Sequence, residues 1–209
     1  SDRLLWNDEE YVALGYRTIY VAARPRVFAD LENHWAKPYV EEMAARGIVK
    51  GVDASSFAPE RDVTRAEFAA LMARALDLQA DGSENPFTDV KTTDWFYQSL
   101  AAAAEKGIVT GYDDGSMKPE APITRQEAMA MTARALKLLG MDTELTDTQT
   151  ADTLSTFGDG GAVAAWAAQP VAACASIGVV QGSEGRLMPN DNISRAETAT
   201  VIWNVMEKK

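Results

Sequence analysis

A single residue pattern occurs three times in this chain with its internal spacing held fixed. It reads Phe28-Ala29-Asp30, Trp35, Gly47-Ile48-Val49-Lys50-Gly51, Pro59 and Thr64-Arg65-Ala66-Glu67. It returns as Phe87-Thr88-Asp89, Trp95, Gly107-Ile108-Val109-Thr110-Gly111, Pro119 and Thr124-Arg125-Gln126-Glu127. The third copy is Phe157-Gly158-Asp159, Trp166, Gly178-Val179-Val180-Gln181-Gly182, Pro189 and Ser194-Arg195-Ala196-Glu197. Trp and the next motif Gly are 12 residues apart in every copy, and Pro precedes the hydroxyl residue by 5. Spacing this rigid makes each copy one structural unit, and the unit decides the fold.

The chain has 209 residues. A unit of about 60 residues buries only about 60% of its unfolded surface and is marginal alone, so the three are expected to share one core. Composition is that of a globular protein, 46% hydrophobic and 24% charged, and no stretch approaches the ~18 apolar residues of a membrane span. The polar start, Ser1-Asp2-Arg3, does not read as a signal peptide. A net charge of −11 argues against nucleic acid and against simple adhesion to an anionic surface. Any anionic ligand must therefore be caught by local cations against the global field. The one cysteine, Cys174, has no partner for an intrachain disulfide and stands where the other copies have Met43 and Ala103, so it reads as a core residue.

Residues 1–26 lie outside the repeat. Within them Tyr16–Ala22 alternates and is rich in β-branched and aromatic residues, which predicts a strand ended by Pro25. We read the segment as a lead-in packed on the repeats, or as the end of a preceding domain. Each unit then predicts two helices. The first begins near the Trp, with Trp35, Tyr39, Val40, Met43 and Ala44 at helical spacing. It ends at Gly47, Gly107 or Gly178, where a left-handed cap is expected. A turn-rich loop follows, and the second helix opens at Thr64, Thr124 or Ser194 with Glu67, Glu127 or Glu197 three residues on, a capping box in each copy. Three equivalent amphipathic helices suggest a central three-helix bundle. The boundaries are 27–80, 86–140 and 157–209, with the Thr/Asp/Gln-rich 141–156 as an exposed linker.

The capping box does not explain Arg65, Arg125 and Arg195 at the first helical position, where a cation opposes the helix dipole at about 0.3–1 kcal/mol. A helix N-terminus offers unpaired N–H groups to an anion, and an Arg beside it adds a planar fork suited to a carboxylate. Each unit thus has the parts of a carboxylate-binding corner. The competing reading is a structural ion pair with an acid of the neighbouring repeat, such as Asp30, Asp89 or Asp159. Trp35, Trp95 and Trp166 could stack on sugar rings or anchor the first helix in the core. Asp113-Asp114-Gly115-Ser116 lacks the full spacing and closing Glu of a calcium loop and reads as a turn. With His34 the only histidine, His-based triads and His-rich zinc sites have no basis, and no nucleotide fingerprint is present, so no cofactor or metal is expected.

These residues, together with His34-Trp35-Ala36 and Phe57-x-Pro59, resemble the S-layer homology repeat, and the tandem resembles an S-layer homology trimer over about residues 27–209. The resemblance implies a mainly α, pseudo-threefold domain with a central three-helix bundle, peripheral lobes and grooves between adjacent repeats. It implies non-covalent anchoring at the bacterial cell surface through a secondary cell wall polysaccharide, a peptidoglycan-linked glycan with a pyruvylated N-acetylmannosamine terminus. It assigns ligand binding to the motif arginines, and with them we group Trp35, Trp95, Trp166, Asp30, Asp89, Asp159, Gly51, Gly111 and Gly182. A pyruvate ketal is a carboxylate fixed on a sugar, which suits an Arg beside an aromatic surface.

Departures from the pattern fall mostly in the third copy: Ser194 for Thr, Ala165-Trp166-Ala167 for His-Trp-Ala, Pro170 in the first helix, and Ser183 where the others have Asp53 and Asp113. Gln126 replaces Ala in the second. The groove that depends most on repeat 3 is therefore expected to be the weakest. The expected function is a carbohydrate-binding anchor without catalysis; the alternative is a protein–protein module for surface-lattice assembly. The end of the chain just after the third repeat suggests a C-terminal anchor.

Overall fold

The structure, a computed structural model, describes residues 4–6, 11–13, 27–82 and 85–209. The strand expected over Tyr16–Ala22 lies outside the described residues. Ahead of the first repeat is a short antiparallel pair, β1 (Leu4–Trp6) and β2 (Tyr11–Ala13). The rest is mainly α: α1 (Lys37–Ala45) and α2 (Arg65–Ala75) in repeat 1, α3 (Tyr97–Glu105) and α4 (Arg125–Leu138) in repeat 2, and α6 (Ala168–Ser176) and α7 (Arg195–Met206) in repeat 3. No helix among the described residues is long and apolar enough to cross a membrane.

The first helices stop where the glycines are: Gly47, Gly107 and Gly178 have φ of 71°, 71° and 79°, a conformation that penalises any Cβ. The chain then turns back, and Ile48-Val49, Ile108-Val109 and Val179-Val180 are buried in the shared core. Residues 141–156, expected as an exposed linker, are irregular only up to Thr146. They contain α5 (Asp147–Ser155), opened by a Thr146–Gln149 capping box and burying no side chain of its own.

The repeats interlock. The second helices α2, α4 and α7 touch pairwise. Each first helix packs on the second helix of the preceding repeat: α3 on α2, α6 on α4, and α1 back on α7. Just before the second helices, the backbone closes a three-way ring of hydrogen bonds. The Val63 N–H donates to the Ile193 carbonyl, that of Ile193 to Ile123, and that of Ile123 to Val63, at 3.0–3.1 Å. All three side chains are buried. Cys174 is buried too, and burial pushes its thiol up to about 12.

Candidate functional site

Local chemistry places the arginines. Thr64, Thr124 and Ser194 each cap their helix in a full capping box with Glu67, Glu127 and Glu197, which puts Arg65, Arg125 and Arg195 at the first helical position. The helix ends are not open to an anion, contrary to the expectation from sequence. The N–H groups of Arg65 and Ala66 donate to Ala121 and Pro119 of repeat 2 at 3.0 Å. Those of Arg125 and Gln126 donate to Asp191 and Pro189 of repeat 3, and those of Arg195 and Ala196 to Arg61 and Pro59 of repeat 1. The Pro-led turn of the next repeat docks on each helix end and satisfies the donors that a lone helix would leave unpaired.

Each guanidinium follows its backbone into the next repeat. Arg65 donates through Nε to the Met117 carbonyl at 2.9 Å and through Nη1 to Glu127 at 3.0 Å. Arg125 donates to the Leu187 carbonyl at 2.7 Å and pairs with Glu197. The partner acid is thus the neighbour's capping glutamate, not Asp30, Asp89 or Asp159. Those aspartates clamp their own repeats: Asp30 accepts from the N–H groups of Phe57 and Ala58, Asp89 from Met117 and Lys118, and Asp159 from Leu187 and Met188. Burial pushes the Glu127 carboxyl up, but hydrogen bonds from Thr124 and the Tyr112 hydroxyl, with the charge of Arg65, hold it below the ordinary range.

The third seam is wired differently. Arg61, where the other repeats have Ala121 and Asp191, takes Glu67. Arg195 donates instead to the carbonyls of Phe57 and Lys50, both at 2.8 Å, and stacks on the Phe57 ring at 4.4 Å. It has no carboxylate partner among the described residues. Burial, and then the charge of Arg61, lower its pKa.

Two of these seams open into grooves, and each groove draws on all three repeats. The first, about 650 Å³, joins Arg65 of repeat 1, Gly111, Tyr112, Glu127 and Arg134 of repeat 2, and Trp166 of repeat 3. The second, about 690 Å³, joins Arg125 of repeat 2, Gly182, Ser183, Glu197 and Asn204 of repeat 3, and Trp35 of repeat 1. In each groove the tryptophan comes from the repeat that supplies neither the arginine nor the glycine loop, because its first helix packs on the second helix of the repeat before it. Trp35, Trp95 and Trp166 are 55%, 65% and 57% exposed, so they do not anchor the core. Gly51, Gly111 and Gly182 are required by space: a Cβ there would stand 2.4–2.7 Å from a backbone carbonyl of the following loop.

The grooves differ in charge. In the first, Arg65 and Arg134 face Asp113 and Glu127. In the second, Arg125 alone faces Glu60, Asp62 and Glu197. Tyr112 walls the first groove: its ring lies 4.7 Å from the Arg65 guanidinium and its hydroxyl donates to Glu127 at 2.8 Å. Its counterpart in the second groove is Ser183. The N–H groups of Val52, Tyr112 and Ser183 bond the carbonyls of Ser56, Ser116 and Arg186 in turn. Ser183 therefore corresponds to Val52 and Tyr112, not to Asp53 and Asp113, because the third loop is one residue shorter. Sequence reasoning passed over Tyr112, Arg61 and Arg134. The signal for Arg134 was present: Arg74, Arg134 and Asn204 each stand nine residues after the motif Arg, and each donates to the carbonyl of Ile48, Ile108 or Val179.

Comparison with known proteins agrees with this threefold division. The family model described as the S-layer homology domain matches residues 27–69, 86–129 and 156–199. The chain is 35% identical over 184 residues to an amylopullulanase of Thermoanaerobacterium thermosulfurigenes, covering 88% of this chain and 10% of that protein. It is 33% identical over 182 residues to an exoglucanase of Acetivibrio thermocellus, covering 87% and 16%. It is 32% identical over 177 residues to the surface-layer 125 kDa protein of Lysinibacillus sphaericus, covering 83% and 14%. The chain thus spans a tenth to a sixth of the length of these relatives.

Proposed function

We infer that this chain, which belongs to the S-layer homology family, is an extracellular cell-wall anchoring module that holds the charged terminus of a secondary cell wall polysaccharide. The enzymatic names among its relatives belong to proteins most of whose length lies outside the matched stretch, and the module itself is a binding unit. The observation that carries the ligand reading is the first groove. There a buried motif arginine, a second arginine and an exposed indole line one space. A pyruvate ketal on a mannosamine ring presents a carboxylate beside an apolar sugar face. Arg65 keeps Nη2 for that carboxylate after Nε and Nη1 are engaged, Arg134 adds a second positive charge, and Trp166 offers a stacking surface. Burial, and then the charge of Arg65, lower the pKa of Arg134, so an incoming carboxylate relieves a repulsion.

The second groove, with one arginine against three carboxylates and Asn204 in place of an arginine, takes the same anion more weakly. It is the groove built most from repeat 3. The test is calorimetric titration with purified polysaccharide, native and after mild acid removal of the ketal. Binding of the native polymer alone, at fewer than three equivalent sites, is the expected result. Equal binding of both polymers removes the carboxylate reading. Binding of neither, with self-association of the chain, favours lattice assembly instead.

A further inference from the structure

Trp166 stands between two cavities. On one side is the groove that holds Arg65; on the other is a smaller space of about 250 Å³. Ala130 and Arg134, like Trp166, line both, so the two spaces adjoin. The smaller space has apolar lining from Ala130, Ala133 and Pro170. Its polar lining includes the exposed Lys137–Glu144 ion pair, 2.7 Å long, and Gln169, whose Nε2 donates to the Thr143 carbonyl. That leaves the Gln169 Oε1 as an acceptor.

Thr143 and Glu144 belong to the connection that makes repeats 2 and 3 ten residues further apart than repeats 1 and 2. The related space after α2, about 240 Å³, is lined by Arg74, Asp77, Gln79 and Gln98 and has no tryptophan in its lining. Asp77 there stands where α4 has Lys137. An indole wall, an apolar floor and a rim of donors and acceptors is the chemistry that receives a neutral pyranose, which has apolar C–H faces and an edge of hydroxyls.

The geometry points to a second sugar subsite: the groove at Trp166 takes two consecutive units, the charged terminal sugar beside Arg65 and the neutral pyranose linked to it in the Lys137–Gln169 space. This rests on the reading that the first groove takes the charged terminus. The test uses two synthetic ligands, the methyl glycoside of the pyruvylated terminal sugar and a disaccharide carrying one further neutral pyranose, titrated calorimetrically into the whole chain. The disaccharide is expected to bind about tenfold more tightly. The gain should vanish in Lys137→Ala/Glu144→Ala, which trims only exposed side chains, and separately in Gln169→Ala, with the monosaccharide affinity unchanged in both. Equal affinities in the unaltered chain, or a gain that survives in the variants, overturns the second subsite and leaves the charged-sugar reading standing. Absence of binding by either ligand removes both.

Discussion

Arg65 holds a carbonyl with Nε and a carboxylate with Nη1 and lines the groove with what remains, so changing it opens a seam as well as a site. If Arg65 served only as a carboxylate fork, Arg65→Lys would lose affinity with the fold intact. The structure revises this, because one ammonium cannot hold both the Met117 carbonyl and Glu127 in the fork geometry. The expected result is a stability loss of about 1–3 kcal/mol together with weaker binding of the native polysaccharide. Trp166→Ala separates the two effects, since the indole is exposed. It should cost about 0.5–1.5 kcal/mol of binding and leave the melting temperature where it was. Thermal melts and titrations on the same samples read both quantities. A lysine variant that melts lower but binds normally would make Arg65 a structural residue only.

The loops between the helices are held by single carboxylates, and this gives the fold an acid limit. Burial raises the Asp30 and Asp159 pKa values, but hydrogen bonds from two backbone N–H groups each outweigh it and leave both carboxyls below the usual range. A folded-state value below the unfolded one means that the unfolded chain binds protons first as pH falls. The stabilisation is complete above the unfolded value, about 4, and is lost as pH drops through the folded value. Melting temperature should fall on acidification below about pH 4, and Asp159→Asn should melt lower at pH 7 with a shallower acid slope. Parallel slopes in the two proteins would show that Asp159 is not the titrating group. These clamps also mark what a sequence hides. The capping boxes and the Gly caps are local, three residues or a single φ, and were legible in every repeat. The aspartate that meets an N–H in a distant loop, and the proline turn that covers a neighbour's helix end, are set by tertiary docking that no short spacing encodes. Helix α5 falls between: none of its residues is fully buried and Leu154 packs only partly on the core, so no apolar period announces it, and its one signal was the Thr146–Gln149 spacing.

At the scale of the molecule, the interlocked repeats explain why three copies of one pattern yield unequal grooves. Each groove takes its arginine, its glycine loop and its tryptophan from three different repeats, so a departure in one copy is felt in a groove named for another. The threefold core was legible because the repeat is rigid. The mixing was not, because it depends on which second helix each first helix packs against. The same scale sets how a ligand arrives. The chain carries −11 overall, so on the proposed reading a polyanionic glycan would be repelled at a distance and attracted only within reach of Arg65 and Arg134. Salt acts on these two forces unequally. The Debye length falls from about 30 Å at 0.01 M to about 8 Å at 0.15 M, which removes the long-range repulsion first and touches partly buried contacts less. The association rate of the native polysaccharide should therefore rise as salt is raised across that range, the reverse of ordinary electrostatic steering. The dissociation rate should change little, and the ketal-stripped polymer should lose most of the association-rate effect. Biolayer interferometry with immobilised polymer reads all three. An association rate that falls steadily with salt would mean that the groove cations, not the net charge, govern the encounter from the first approach.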